Sequence, residues 1–208
     1  MRRLLAATAL LSIAALGSAE ADLPGKPDPS RVTAGTYAAD PNHTVVGFRI
    51  NHMGFADVLG LFGSITGSLT LDPAHLDQAQ VAIRIPVRKL MTGSQGLTEH
   101  MFMPGLDGKP DYFGPKPADA TFVSTKVVPG ADGLSAAVTG DLTLNGVTKP
   151  VTITTRFTGA GKGLIGSSIN VGFEGTTEIK RSDFGLVADM GLVGDPVTLT
   201  ISATFIHK

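Results

Sequence analysis

The chain has no cysteine and no tryptophan, and only two of its 208 residues are tyrosine. Without cysteine there is no disulfide staple, no thiolate metal ligand and no thiol nucleophile, so the fold must stand on its core and its hydrogen-bonded ladder. Charge is scarce as well: 17% of residues are Asp, Glu, Lys or Arg, and the formal net charge is −1. Nucleic acid is therefore not an expected partner, because its affinity rests on clustered Lys and Arg. Beyond Leu16 no stretch approaches the ~18 consecutive apolar residues of a membrane-crossing helix. A Gly-x-Ser-x-Gly elbow and a glycine-rich phosphate loop are missing too. His43, His52, His75, His100 and His207 lie far apart without i,i+2 or i,i+4 pairing, so neither a metal nor another cofactor is expected.

What is present begins with Met1-Arg2-Arg3 and a small, apolar run from Leu4 to Leu16, followed by Ala19 and Ala21. A positive start, an apolar stretch of about thirteen residues and small residues at the end make a secretory signal peptide over residues 1–21, with export to the periplasm. Residues 22–36 carry Pro24, Pro27, Pro29, Gly25 and Gly35 and read as a linker. One domain follows over residues 37–208. With 42% hydrophobic residues alongside 26 glycines and 13 prolines, it reads as turn-rich and globular rather than disordered.

The hydrophobic period there is two. Val46, Phe48 and Ile50 alternate with Gly47, Arg49 and Asn51; Ile65, Leu69 and Leu71 with Ser64, Ser68 and Thr70; Val81, Ile83 and Ile85 with Ala82, Arg84 and Pro86. Thr121 to Ser124 opens a further strand. Asn145-Gly146 between Asp141–Leu144 and Val147–Phe157 marks a type I′ hairpin, since both central residues need positive φ. Val171, Phe173, Thr177 and Ile179 form another apolar face, and Val197, Leu199, Ile201, Ala203 and Phe205 the last. Leu90 to Ala118 breaks the rhythm with methionines, glycines and prolines, and suits short helices or a lid-like loop. About eight strands with one apolar face fit an all-β sandwich or a closed antiparallel barrel. A membrane barrel would need aromatic girdles, which a chain without Trp cannot build well.

The segment Tyr37-Ala-Ala-Asp40-Pro-Asn-His43-Thr-Val-Val-Gly-Phe48-Arg-Ile-Asn-His52-Met-Gly54 resembles the opening of the YceI-like family of bacterial periplasmic proteins. Gly60-Leu-Phe62-Gly63, Gly140-Asp141-Leu142-Thr143-Leu144-Asn-Gly146-Val147-Thr148-Lys149-Pro150-Val151 and Arg181-Ser182-Asp183-Phe184-Gly185-Leu186 are similar to later family blocks in the same order. The resemblance implies a lipocalin-like, eight-stranded antiparallel β-barrel with short helices in one long connection. It implies a binding protein for an amphiphilic lipid, such as a polyprenyl chain or a fatty-acid derivative. The chain departs from the family pattern at Thr98-Glu99, over 104–110 and at Ala118-Asp119.

Candidate ligand contacts follow from the inward faces: Val46, Phe48, Ile50, Phe62, Ile65, Ile83, Phe122 and Phe173. Met91, Met101, Phe102 and Phe113 would close over the cavity. Taken singly, each inward side chain reads first as plain core; taken together they can wall a cavity. An eight-stranded barrel is just wide enough to fill itself or to hold one ligand. Burying a tail is worth roughly 0.8 kcal/mol per CH₂ before association costs, so few polar contacts are required. His52 could bond a head group or simply backbone at a strand end. Arg181 could neutralise an anion, or fix a bend through Asp183 or backbone carbonyls. The expected function is sequestration or carriage, without catalysis. An enzyme acting on a small apolar substrate and a solid-cored envelope interaction module are the alternatives, and a homodimer is an open alternative to the monomer.

Overall fold

A computed structural model describes residues 22–105, 109–164 and 166–208. The signal peptide expected over 1–21 lies outside the described residues. One antiparallel sheet holds β1 (Gly35–Ala39), β2 (Val45–His52), β3 (Ala56–Phe62), β4 (Thr66–Leu71), β5 (Gln80–Ile85), β6 (Leu90–Thr92), β7 (Ala120–Pro129), β8 (Ser135–Leu144), β9 (Val147–Lys162), β10 (Ile169–Lys180) and β11 (Val193–His207). Helix α1 (Gln95–His100) sits in the long connection, its first turn capped by Ser94. The order β1-β4-β5-β7-β8-β9-β10-β11 returns to β1, through Tyr37 opposite His207 and Ala39 opposite Phe205. The eight-stranded barrel is thereby closed. β2, β3 and β6 continue from β11 as a flap, because the first half of β11 pairs with β2 and its last residues with β1.

The local chemistry explains the turns. Asn145 and Gly146 have φ of 51° and 77°, the two positive values that a type I′ hairpin demands. At the β1–β2 corner the Asp40 carboxylate accepts hydrogen bonds from the Asn42 amide at 2.9 Å and the His43 ring at 2.7 Å. The Thr44 hydroxyl there donates to the Thr204 carbonyl at 3.0 Å. Across the outer face hydroxyls pair between strands, Thr139 with Thr152 and Thr143 with Thr148, both at 2.8 Å.

The interior divides lengthwise. Phe122, Leu142, Ile179, Phe184 and Val197 form one packed cluster, with Phe48 and Ile50 against it. Val87, Leu90, Phe102 and Ala120 form a second, which Met101, Phe113, Phe48 and Phe62 complete. Together they plug the end of the barrel where β7 starts. The connection before β7 is pinned over that end by the Tyr112 hydroxyl, which donates to Asp189 at 3.1 Å. Burial, and then the nearby Asp189 carboxylate, push the Tyr112 phenol up to about 12, so it stays a proton donor. Arg181 is buried at this end and donates to the carbonyls of Leu186, Val193 and Gly194 at 2.6, 3.0 and 2.8 Å. It thus fixes the bend between β10 and β11 through backbone carbonyls.

The segment that composition marks as a linker lies against the barrel. Lys26 and Ala160 exchange amide–carbonyl bonds at 3.1 and 2.8 Å, and the Arg31 guanidinium donates to the carbonyls of Pro24 at 2.9 Å and Ala160 at 3.4 Å. A methyl group at Gly161 would stand 1.9 Å from the Pro24 carbonyl, so only glycine lets this strap seat. Pro29–Arg31 then makes one 3-10 turn capped by Asp28.

Two outcomes are expected. Arg181→Met leaves the buried Leu186 carbonyl and the half-buried carbonyls of Val193 and Gly194 without their donor and should lower unfolding free energy by about 3 kcal/mol in chemical denaturation. Gly161→Val should lift the strap, so that amide exchange at Lys26 and Ala160 becomes fast while the strand cores stay protected.

Candidate binding cavity

The unplugged half of the barrel is hollow. It encloses a cavity of about 250 Å³ whose wall is almost wholly hydrocarbon, with Ile65, Leu69, Ile83, Phe122, Phe157 and Ile201 among its residues. The volume lies near the small end of the range for ligand pockets and suits a single chain better than a bulky ring system. Aromatic rings brace one wall: Phe173 meets Phe157 at 5.7 Å and Phe205 at 6.2 Å in edge-on geometry. The lining runs out to surface residues at Pro29 of the strap, Gln80 at the start of β5 and Gly133 of the β7–β8 hairpin, which together make the mouth.

Polar atoms in the wall are spent locally. Thr44 donates to Thr204, the Thr155 hydroxyl donates to the Ala136 carbonyl at 2.9 Å, and the Ser135 hydroxyl to Asp132 at 2.7 Å. Glu174, exposed on β10 opposite Arg156, follows the inward-facing Phe173 and so points outward. Among the described residues no three His, Cys, Asp or Glu side chains converge as a metal site would require.

The inward residues expected from sequence part into groups. Val46, Ile65, Ile83, Phe122 and Phe173 line the cavity. Phe48, Phe62, Phe102, Met101 and Phe113 pack the plugged end, where Phe48 and Phe62 lie 5.9 Å apart and Phe62 and Phe113 6.3 Å apart. Ile50 packs beside Phe184 and Val197 in the neighbouring cluster. Met91 is 56% exposed on the flap, opposite Leu61, and His52 is exposed at the end of β2. Arg181 is engaged by carbonyls at the plugged end. The Met91 to Phe113 stretch, expected as a lid, is therefore the plug of the opposite end: its phenylalanines find the rings of β2 and β3 there, and none of its described residues lines the cavity. The mouth belongs instead to the strap, to residues 72–79 and to the β7–β8 hairpin. Of these, Pro29, Val32 and Leu76 carried no periodic signal, because they lie outside the strands.

The comparisons agree with this architecture. A UPF0312 protein of Pseudomonas fluorescens is 38% identical over 178 residues, covering 83% of this chain and 87% of its own. A UPF0312 protein of Vibrio cholerae is 32% identical over 160 residues, covering 76% and 81%. Among solved structures, the Campylobacter jejuni YceI protein superposes with a TM-score of 0.62 at 26% identity, over 76% of this chain and 90% of that one. Burkholderia cenocepacia BcnA gives 0.64 at 24% identity over 80% and 98%. A polyisoprenoid-binding domain from Saccharophagus degradans gives 0.59 at 11% identity over 85% and 100%, a likeness of fold. The YceI-like domain model matches residues 37–205, nearly the whole of the barrel, and the chain belongs to the YceI-like family.

Proposed function

We propose that this protein, exported to the periplasm, binds one long amphiphile by its hydrocarbon tail, either a polyprenyl or an acyl chain, and sequesters or carries it without chemical change. The observation that carries the reading is the half-hollow barrel: a hydrocarbon-walled cavity, open at one end, beside a core packed solid at the other. A tail of about ten carbons gains roughly 8 kcal/mol from burial, which equals the free energy of a micromolar complex before association costs are subtracted, and each further buried CH₂ adds about 0.8 kcal/mol without a polar anchor inside. The similarity of fold to a polyisoprenoid-binding domain supports the same reading. Signal-like residues at the start of the chain support export.

Ala203, inward on β11 and opposite Phe173, offers the test. Ala203→Leu should weaken displacement of a fluorescent long-chain alcohol by about tenfold while unfolding free energy changes by less than about 1 kcal/mol, because the added carbons enter empty space. Destabilisation by about 1–3 kcal/mol, with no alcohol bound by the parent protein, would mark a solid core instead.

A further inference from the structure

The cavity's polar groups say where a ligand's head must stay. Thr44, Thr155 and Ser135 already donate to neighbouring acceptors, so a head group drawn into the wall would find no free donor and would lose its hydration uncompensated. Gln80 differs. It is exposed at the mouth, and its side-chain amide makes no hydrogen bond to the described residues. Charge around the mouth leans negative. Asp28, Asp72, Asp77 and Asp132 each adjoin a residue of the lining, next to Pro29, Pro73, Leu76 and Gly133 respectively. Arg31 and His75 are cations in the same loops, each held by a carboxylate, Arg31 by Asp28 at 3.9 Å and His75 by Asp72 at 3.0 Å, and Arg156 stands on β9 opposite Ser135 within electrostatic reach of Asp132, so four carboxylates outweigh two guanidiniums and one imidazole. Lys26 is paired with Asp22, and Lys162 and Lys208 stand outside the lining, at the ends of β9 and β11.

We infer that the amphiphile sits tail-first with its head at this rim, and that the rim selects an uncharged or cationic head group, hydrogen-bonded by Gln80, over a carboxylate or phosphate. The inference rests on the carrier reading above and narrows its ligand to alcohols, esters, amides or amines of a long chain. Hydrogen bonds from Ser30, His75 and Ser135 hold the carboxyls of Asp28, Asp72 and Asp132 below their usual range, which keeps the rim anionic through the neutral and mildly acidic range. The His75 imidazole is in turn raised by Asp72 and carries more positive charge as pH falls, so the discrimination should soften toward acidic pH.

The test is titration, below their micelle concentrations, of three amphiphiles sharing one tail: an alkyl trimethylammonium, an alkyl alcohol and an alkyl carboxylate. At low ionic strength the carboxylate should bind about tenfold more weakly than the ammonium, with the alcohol between or level with the ammonium, and salt should compress the series. The combined change Asp72→Asn and Asp77→Asn should tighten the carboxylate several-fold and leave the alcohol unmoved, while circular dichroism reports an intact barrel. A carboxylate that binds as tightly as the alcohol at low salt would overturn the head-group inference and leave the carrier reading standing. Failure of all three to bind saturably would overturn the carrier reading, and this inference with it.

Discussion

Closing eight antiparallel strands into a cycle fixes the width of the space they enclose, and every other feature of this molecule depends on how that width is used. The closure hangs on three short residue pairs between β1 and β11, from Tyr37 opposite His207 to Ala39 opposite Phe205. Tyr37 is fully buried there, its ring edge-on to His207 at 4.8 Å. Once the cycle is closed no strand of the barrel has a free edge along the join, and the inward side chains determine whether the interior is filled or hollow.

They do both. Toward the end where β7 starts, phenylalanines on β2, β3 and the connecting segment interlock, and the buried Arg181 ties the β10–β11 bend to three carbonyls. Toward the other end the inward positions carry Val, Ile, Leu, Ala203 and Gly175, with rings gathered mainly on one wall, and these leave space. The plugged half supplies rigidity at no expense to the cavity, and the strap of residues 22–34 shapes the mouth. Buried side chains pack in both halves, since the cluster of Tyr37, Leu69, Phe157, Val171 and Phe205 walls the cavity through Leu69, Phe157 and Phe205, and this lets a chain without cysteine keep a void of this size.

Period-two alternation made β2, β5, β10 and β11 legible, and the Asn145-Gly146 dipeptide located the β8–β9 hairpin. β3 was not legible by alternation, because Leu59 and Leu61 on its outer face and Val58 and Phe62 on its inner face make both faces apolar. β1 and β6 are five and three residues long, too short for a period to show. For the cavity, alternation said which residues face inward and could not say which half of the barrel is empty, since that depends on which distant rings meet. Phe48 and Ile83 carry the same signal, yet one packs the plug and the other lines the void. The strap was illegible for a similar reason: its seat is built by Gly159 and Gly161, and the Arg31–Ala160 bond spans 129 residues of chain.

The most direct test is native mass spectrometry of the protein isolated gently from its own cells, followed by organic extraction of any bound molecule. The expected result is a stoichiometric adduct that leaves on extraction and proves to be a single long-chain molecule without an acidic head group. A protein that arrives empty, and that stays empty after exposure to total lipid extract from the same cells, would contradict it.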